Sequence, residues 1–107
     1  ETYYNLGIIY GIIGRYDDSI KSLKKASELN SNDADIYYNL ALTYKNKGIV
    51  KDAIANYEKT IELNPNMAEA YFNLSIIYEK EGEKAKAIET HQKYLKLMRR
   101  KEYANPR

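Results

Sequence analysis

The sequence predicts an all-α fold, an α-solenoid of three helix–turn–helix repeats, and three observations carry that expectation. The chain repeats itself: Tyr3-Tyr4-Asn5-Leu6-Gly7 returns as Tyr37-Tyr38-Asn39-Leu40-Ala41 and as Tyr71-Phe72-Asn73-Leu74-Ser75, each copy 34 residues after the last. Tyr10, Tyr44 and Tyr78 keep the same step, as do Ile20, Ile54 and Ile88, and Leu29, Leu63 and Leu97. Within each copy apolar residues recur at three-and-four spacing, which lines one face of an α-helix. Gly14, Gly48 and Gly82 part every copy into two such runs, as a left-handed residue that closes a helix would.

Six helices follow in order. A helix over 2–13 rests on Leu6 and Tyr10; its interior glycines, Gly7 and Gly11, cost about 1 kcal/mol each relative to Ala, so tertiary cover must compensate. Glu1 stands too late in this copy to leave room for a helix cap. Ile20, Leu23, Ala26 and Leu29 place a second helix over 16–29. Tyr37, Leu40, Ala41 and Tyr44 place a third over 33–47, with Asn32 and Asp35 as its start signal. A fourth, over 50–63, carries Ala53, Ile54, Tyr57, Ile61 and Leu63 and is ended by Pro65. The fifth, over 67–81, has Asn66 and Glu69 spaced for a reciprocal cap. The sixth, over 84–101, carries Ala87, Ile88, His91, Leu95 and Leu97. There Tyr94 replaces the small Ala26 and Thr60, and Arg99 stands where the second copy has Pro65, so this helix should run on with no standard fourth repeat directly after it. Small residues fall where paired helices must approach closely: Gly7, Ala41 and Ser75 on the first helix of each pair, Ser19, Ala53 and Ala87 on the second.

Composition narrows the function. At 107 residues the chain holds one domain at most, and 44% apolar with 30% charged residues suits a folded chain of amphipathic helices. A formal net charge of +2 is too small for a surface that binds polyanions, so no nucleic acid is expected. With no Cys there are no disulfides, thiolate nucleophiles or sulfur ligands, and the compartment stays open, the cytoplasm being favoured. The longest apolar stretch, Leu6 to Ile13, is less than half of the roughly 20 residues that span a bilayer, and no charged leader precedes it.

The pattern of aromatic, Leu, small residue and Tyr on the first helix, then small residue, aromatic and Pro, resembles the tetratricopeptide repeat. It is fullest in the second copy, with Tyr37, Leu40, Ala41, Tyr44, Gly48, Ala53, Tyr57 and Pro65. The resemblance implies a single domain over 1–107, with repeats 1–33, 34–67 and 68–101 and a basic tail at 102–107. It also implies a right-handed superhelix whose concave groove is lined by the first helices, and hence a non-catalytic module that holds a peptide segment of a partner protein.

On those first helices, Tyr4 and Ile8, Tyr38 and Leu42, and Phe72 and Ile76 lie one turn apart and share a face. They form an apolar strip in the groove, the aromatics wetter than the aliphatics; alternatively Ile8, Leu42 and Ile76 pack between first helices. Asn5, Asn39 and Asn73 recur between the pairs. A carboxamide can accept from a peptide N–H and donate to a peptide C=O, so this row suits main-chain recognition. It resembles the asparagine ladder in the repeats of O-linked N-acetylglucosamine transferase, although generic repeat structure also accounts for it. Glu1, Asp35 and Glu69 form an acidic row one turn earlier, suited to basic ligands or simply to helix N-termini. The carboxylate clamp of co-chaperones does not fit: of its five places only Asn39 is kept, the others holding Tyr4, Ile8, Glu69 and Asn73 with no cation.

Catalysis has little to stand on. His91 is the lone imidazole, at the place of Leu23 and Tyr57, and reads as a packed or half-exposed helix residue; no phosphate-binding glycine loop occurs, and no cofactor or metal is expected. Asn73-Leu74-Ser75 matches a glycosylation acceptor but falls on a groove-lining helix, a poor site. Ile8, Ile9, Ile12 and Ile13 leave the first helix almost no polar side, which points to an upstream repeat, domain exchange or self-association through this helix. At the other end Lys96, Arg99, Arg100, Lys101 and Arg107 face Glu102 alone, a basic helix terminus or a contact for an acidic partner, RNA or anionic lipid. Two further readings are a substrate-recruiting fragment of a larger enzyme, such as a glycosyltransferase, and a self-associating assembly unit.

Overall fold

The computed structural model describes residues 2–104, the side chains of 103 and 104 excepted. It contains six α-helices and, among the described residues, no strand: α1 (Tyr3–Ile12), α2 (Tyr16–Leu29), α3 (Ala34–Lys47), α4 (Val50–Leu63), α5 (Ala68–Lys80) and α6 (Lys84–Ala104). The bounds match the periodicity because the stops are chemical. Gly14, Gly48 and Gly82 take φ of 85°, 91° and 80°, the left-handed region that side-chain-bearing residues avoid. As Tyr94 and Arg99 imply, α6 runs on, over 21 residues against 14 for α2 and α4.

The starts correct three expectations. Thr2 does cap α1, its hydroxyl accepting from the Asn5 N–H at 3.1 Å. Asp33, not Asn32, caps α3 by accepting from the Asp35 N–H at 3.0 Å. At α5 no side chain caps at all: Met67 is the N-cap residue, and the Asn66 N–H donates to Asn64 Oδ1 at 3.2 Å, which closes a local turn across Pro65 and delays the helix.

α1 to α4 form one compact unit and α5 with α6 a second, divided after Leu63. In the first unit α1 pairs with α2 and α3 with α4, while α3 also lies against α2 and α1. Its core comprises Leu23, Ile36, Leu40, Ala41, Tyr44, Ala53 and Tyr57, all buried. Small residues set the helix separations. A Cβ on Gly7 would lie 2.5 Å from Leu23 Cγ, so only glycine lets α1 and α2 meet here. The buried Ser19 hydroxyl donates to the Gly7 carbonyl at 2.7 Å and sits 3.1 Å from the Thr43 hydroxyl, tying three helices together. Lys47 and Asp17 close the same joint with a surface ion pair.

In the second unit Ala70, Tyr71, Leu74, Ile77, Tyr78 and Ala87 are buried. Ile88 and Leu95, read as packing positions, are instead 58% and 46% exposed, because in this unit nothing covers that side of α6. No helix among the described residues is long and apolar enough to cross a membrane.

Candidate functional site

In the first unit α1 and α3 stand side by side, and their register follows from the pairing of both with α2. That register brings Tyr4 of α1 to Asn39 of α3, whose Nδ2 donates to the Tyr4 hydroxyl at 3.2 Å. Asn39 Nδ2 also donates to the Asp35 carbonyl one turn back, at 2.9 Å. Both N–H bonds of the carboxamide are thereby spent inside the protein, while among the described residues Oδ1 accepts none. The expected two-way reader of a peptide main chain is thus, at Asn39, an oriented acceptor.

Beside it Ile8 and Leu42, both half-buried, share a cavity of ≈ 180 Å³ with Gly11 and Asn46. Tyr4 is half-buried too, and its hydroxyl is raised above the usual tyrosine range by burial first and then by the Asp35 and Asp33 carboxylates, against the opposing effect of the Asn39 bond. The tyrosine is therefore a neutral partner for Asn39 throughout the physiological range.

The other sequence-derived positions divide. Tyr38 meets the Tyr57 ring of α4 edge-on, with centroids 5.8 Å apart, and is half-buried. Asn5 and Asp35 are exposed, and the Asp35 backbone acts as the tether of Asn39. Glu1 lies outside the described residues. In the second unit Phe72 and Ile76, each 39% exposed, line one cavity of ≈ 580 Å³ with Ile88 and His91. Asn73 is half-buried and Glu69 exposed there.

Sequence reading passed over His91 as a groove residue and Tyr94 as its neighbour. Tyr94 lies 5.0 Å from the Phe72 ring and 5.9 Å from the His91 ring, centroid to centroid. The signal was present in the period, since these are the places of Ala26 and Leu23. The Tyr57 hydroxyl is buried with no hydrogen-bond partner among the described residues, and burial, with Tyr38 adding to it, pushes its ionisation far above the ordinary tyrosine value. No group of three or more His, Cys, Asp or Glu that could hold a metal occurs among the described residues.

The described residues thus offer a helical surface with an apolar cleft beside the oriented Asn39 amide and, in the second unit, a groove lined by Phe72, Ile76, Ile88 and His91. Family profiles place it. A TPR repeat profile matches residues 12–48, and tetratricopeptide repeat profiles match 34–67 and 56–89. The chain belongs to the tetratricopeptide-repeat family. That fold serves generally as a protein-interaction module.

A crystal structure of MamA is similar to this tetratricopeptide-repeat chain at 35% identity with a TM-score of 0.91, over 92% of this chain and 58% of that one. MamA from Desulfovibrio magneticus RS-1, residues 41 to the end, is 23% identical with a TM-score of 0.86, over 91% of this chain and 55% of that one. YrrB, described as a TPR protein with an unusual peptide-binding site, is 24% identical with a TM-score of 0.82, over 91% of this chain and 52% of that one. The last two likenesses concern the fold. The chain spans somewhat over half the length of the solved chains it matches. No curated protein matches it.

Proposed function

We propose that this chain is a non-catalytic adaptor that holds an extended peptide segment of a partner protein, and that the face shared by α1 and α3 makes the contact. The observation that carries this reading is the tethering of Asn39, whose two donors are engaged by Asp35 and Tyr4 beside the apolar pair Ile8 and Leu42. A carboxamide fixed in that way offers its oxygen to a peptide N–H at little entropic cost, and a neighbouring apolar cleft takes one side chain of the same segment. Recognition is then of main chain and shape rather than of charge. Asp35 on the same face gives a secondary preference for Lys or Arg in the ligand. The accompanying organisation is one module of three repeats, 1–33, 34–67 and 68–101, in which the periodicity extends the asparagine row to Asn5 and Asn73.

A cellulose-bound array of random dodecapeptides, probed with the 107-residue chain, tests the reading. Asn39→Ala should leave helix content unchanged and weaken binding to the captured peptides by about 1 kcal/mol, roughly fivefold, as one lost hydrogen bond would. Equal binding by both proteins would remove Asn39 from the site, and an array with no captured peptide would remove the adaptor reading.

A further inference from the structure

The 34-residue step identifies the open groove between α5 and α6. Two steps separate its residues from those of the first hairpin: Ser75 answers Gly7, Ile76 answers Ile8, Ala87 answers Ser19 and His91 answers Leu23. In the first unit that surface is covered by α3, through Asn39, Leu42 and Thr43. The groove on α5 and α6 is therefore the unfilled counterpart of a place that takes a helix.

The chemistry of the missing helix can be read from the joint that is filled. There Ala26 and Ile36 line one cavity, Ser19 meets Thr43 at 3.1 Å, and Asp17 pairs with Lys47. On the open hairpin the same three places hold Tyr94, Ala87 and Ala85. A fitting helix would present a small residue to Tyr94 and large apolar residues to the two alanines. One step back from Ile36, Thr43 and Lys47 stand Thr2, Ile9 and Ile13. Ala26 with Ile36 becomes Tyr94 with Thr2, a large–small exchange. The hydroxyl pair becomes Ala87 with Ile9, and the ion pair becomes Ala85 with Ile13. Both members change together in all three cases, and the two Ala–Ile combinations carry no side-chain polar group into the contact. Ile9 and Ile13 are 47% and 61% exposed, and no charged residue occurs in α1. The Asn39–Tyr4 bond alone has no equivalent, because Phe72 lacks the hydroxyl.

We propose that α1 of one copy seats in the α5–α6 groove of a second copy, as α3 seats on α1 and α2 within the chain. The contact is heterologous, so it leaves one free end on each partner and propagates into open chains or closed rings. It is independent of the peptide-binding reading, which uses Asn39.

Sedimentation of the 107-residue chain from low to high micromolar concentration should show mass rising beyond a single chain. Ile9→Glu blocks the inserting end and Ile88→Glu the receiving end; both side chains are largely solvent-facing, at 47% and 58%, so circular dichroism should be unchanged. Each variant alone should sediment as a monomer, with self-affinity reduced at least tenfold. Mixed in equal amounts they should form a two-chain species and nothing larger, because one supplies an intact α1 and the other an intact groove. A wild-type chain that stays monomeric at the highest concentration overturns the proposal. So does association that survives either substitution, or a mixture that fails to restore the two-chain species.

Discussion

The hairpins α1–α2 and α5–α6 are written on one 34-residue pattern and differ in what their grooves face. In the first, glycine at 7 and leucine at 23 let helices close on each other, and α3 covers the result. In the last, Ser75 and His91 take those places, Tyr94 folds onto Phe72, and the groove stays open in its unit. The repeat thus specifies the hairpin, while a few variable positions distinguish the covered surface from the open one. Position 23, 57 and 91 shows this most sharply: Leu23 and Tyr57 are fully buried and His91 is exposed.

That contrast can be broken by mutation. Leu23→Ala should cost about 2–5 kcal/mol in urea denaturation, the range for a large-to-small change in a packed core, whereas His91→Ala should lie within about 0.5 kcal/mol of wild type. Similar costs at the two places would mean that the hairpins are equally covered. Gly7→Ala should cost about 1–3 kcal/mol because the new methyl group meets Leu23 Cγ at 2.5 Å, an overpacking penalty that outweighs the gain in helix propensity. At the equivalent place Ser75→Ala removes only a hydroxyl bonded to the Phe72 carbonyl and should cost about 1 kcal/mol or less.

Tyr57→Phe sharpens the comparison from the other side. It removes a hydroxyl buried without a partner among the described residues and should stabilise the chain by about 1 kcal/mol. The pH dependence follows from the same burial. The folded-state ionisation of Tyr57 lies above its ordinary value of 10.0, so the unfolded chain loses this proton first as pH rises. Its contribution to stability is complete below about pH 10 and is lost progressively above it. Tyr4 and Tyr71, also raised by burial, add to the alkaline loss, and the phenylalanine variant should flatten it without abolishing it. A denaturation series from neutral to alkaline pH in which the two proteins run parallel would contradict the assignment.

Much of this was legible in the sequence because local chemistry fixed it. Glycines that must turn left-handed ended helices where the period placed them, and the small residues Gly7, Ser19, Ala41, Ala53, Ser75 and Ala87 are all buried at the hairpin contacts. The caps were less legible, since several short polar side chains compete within two or three residues: Asp33 displaced Asn32, and Asn64 drew the Asn66 amide into its own turn. The state of Asn39 was not legible at all. Whether its N–H groups face a ligand or the protein depends on Tyr4, which is 35 residues away and reaches it only through the packing of α3 on α1. Tyr38 shows the same limit, because the period gives no sign of its edge-on contact with the Tyr57 ring.

The adaptor reading turns on the α1–α3 face, and amide chemical-shift mapping reaches it most directly. With nitrogen-15-labelled chain titrated by one array-selected dodecapeptide, the largest shifts should fall at Ile8, Asn39 and Leu42 and shrink together in Asn39→Ala. Shifts confined to α6, or a peptide that binds while leaving those three amides unmoved, would contradict it.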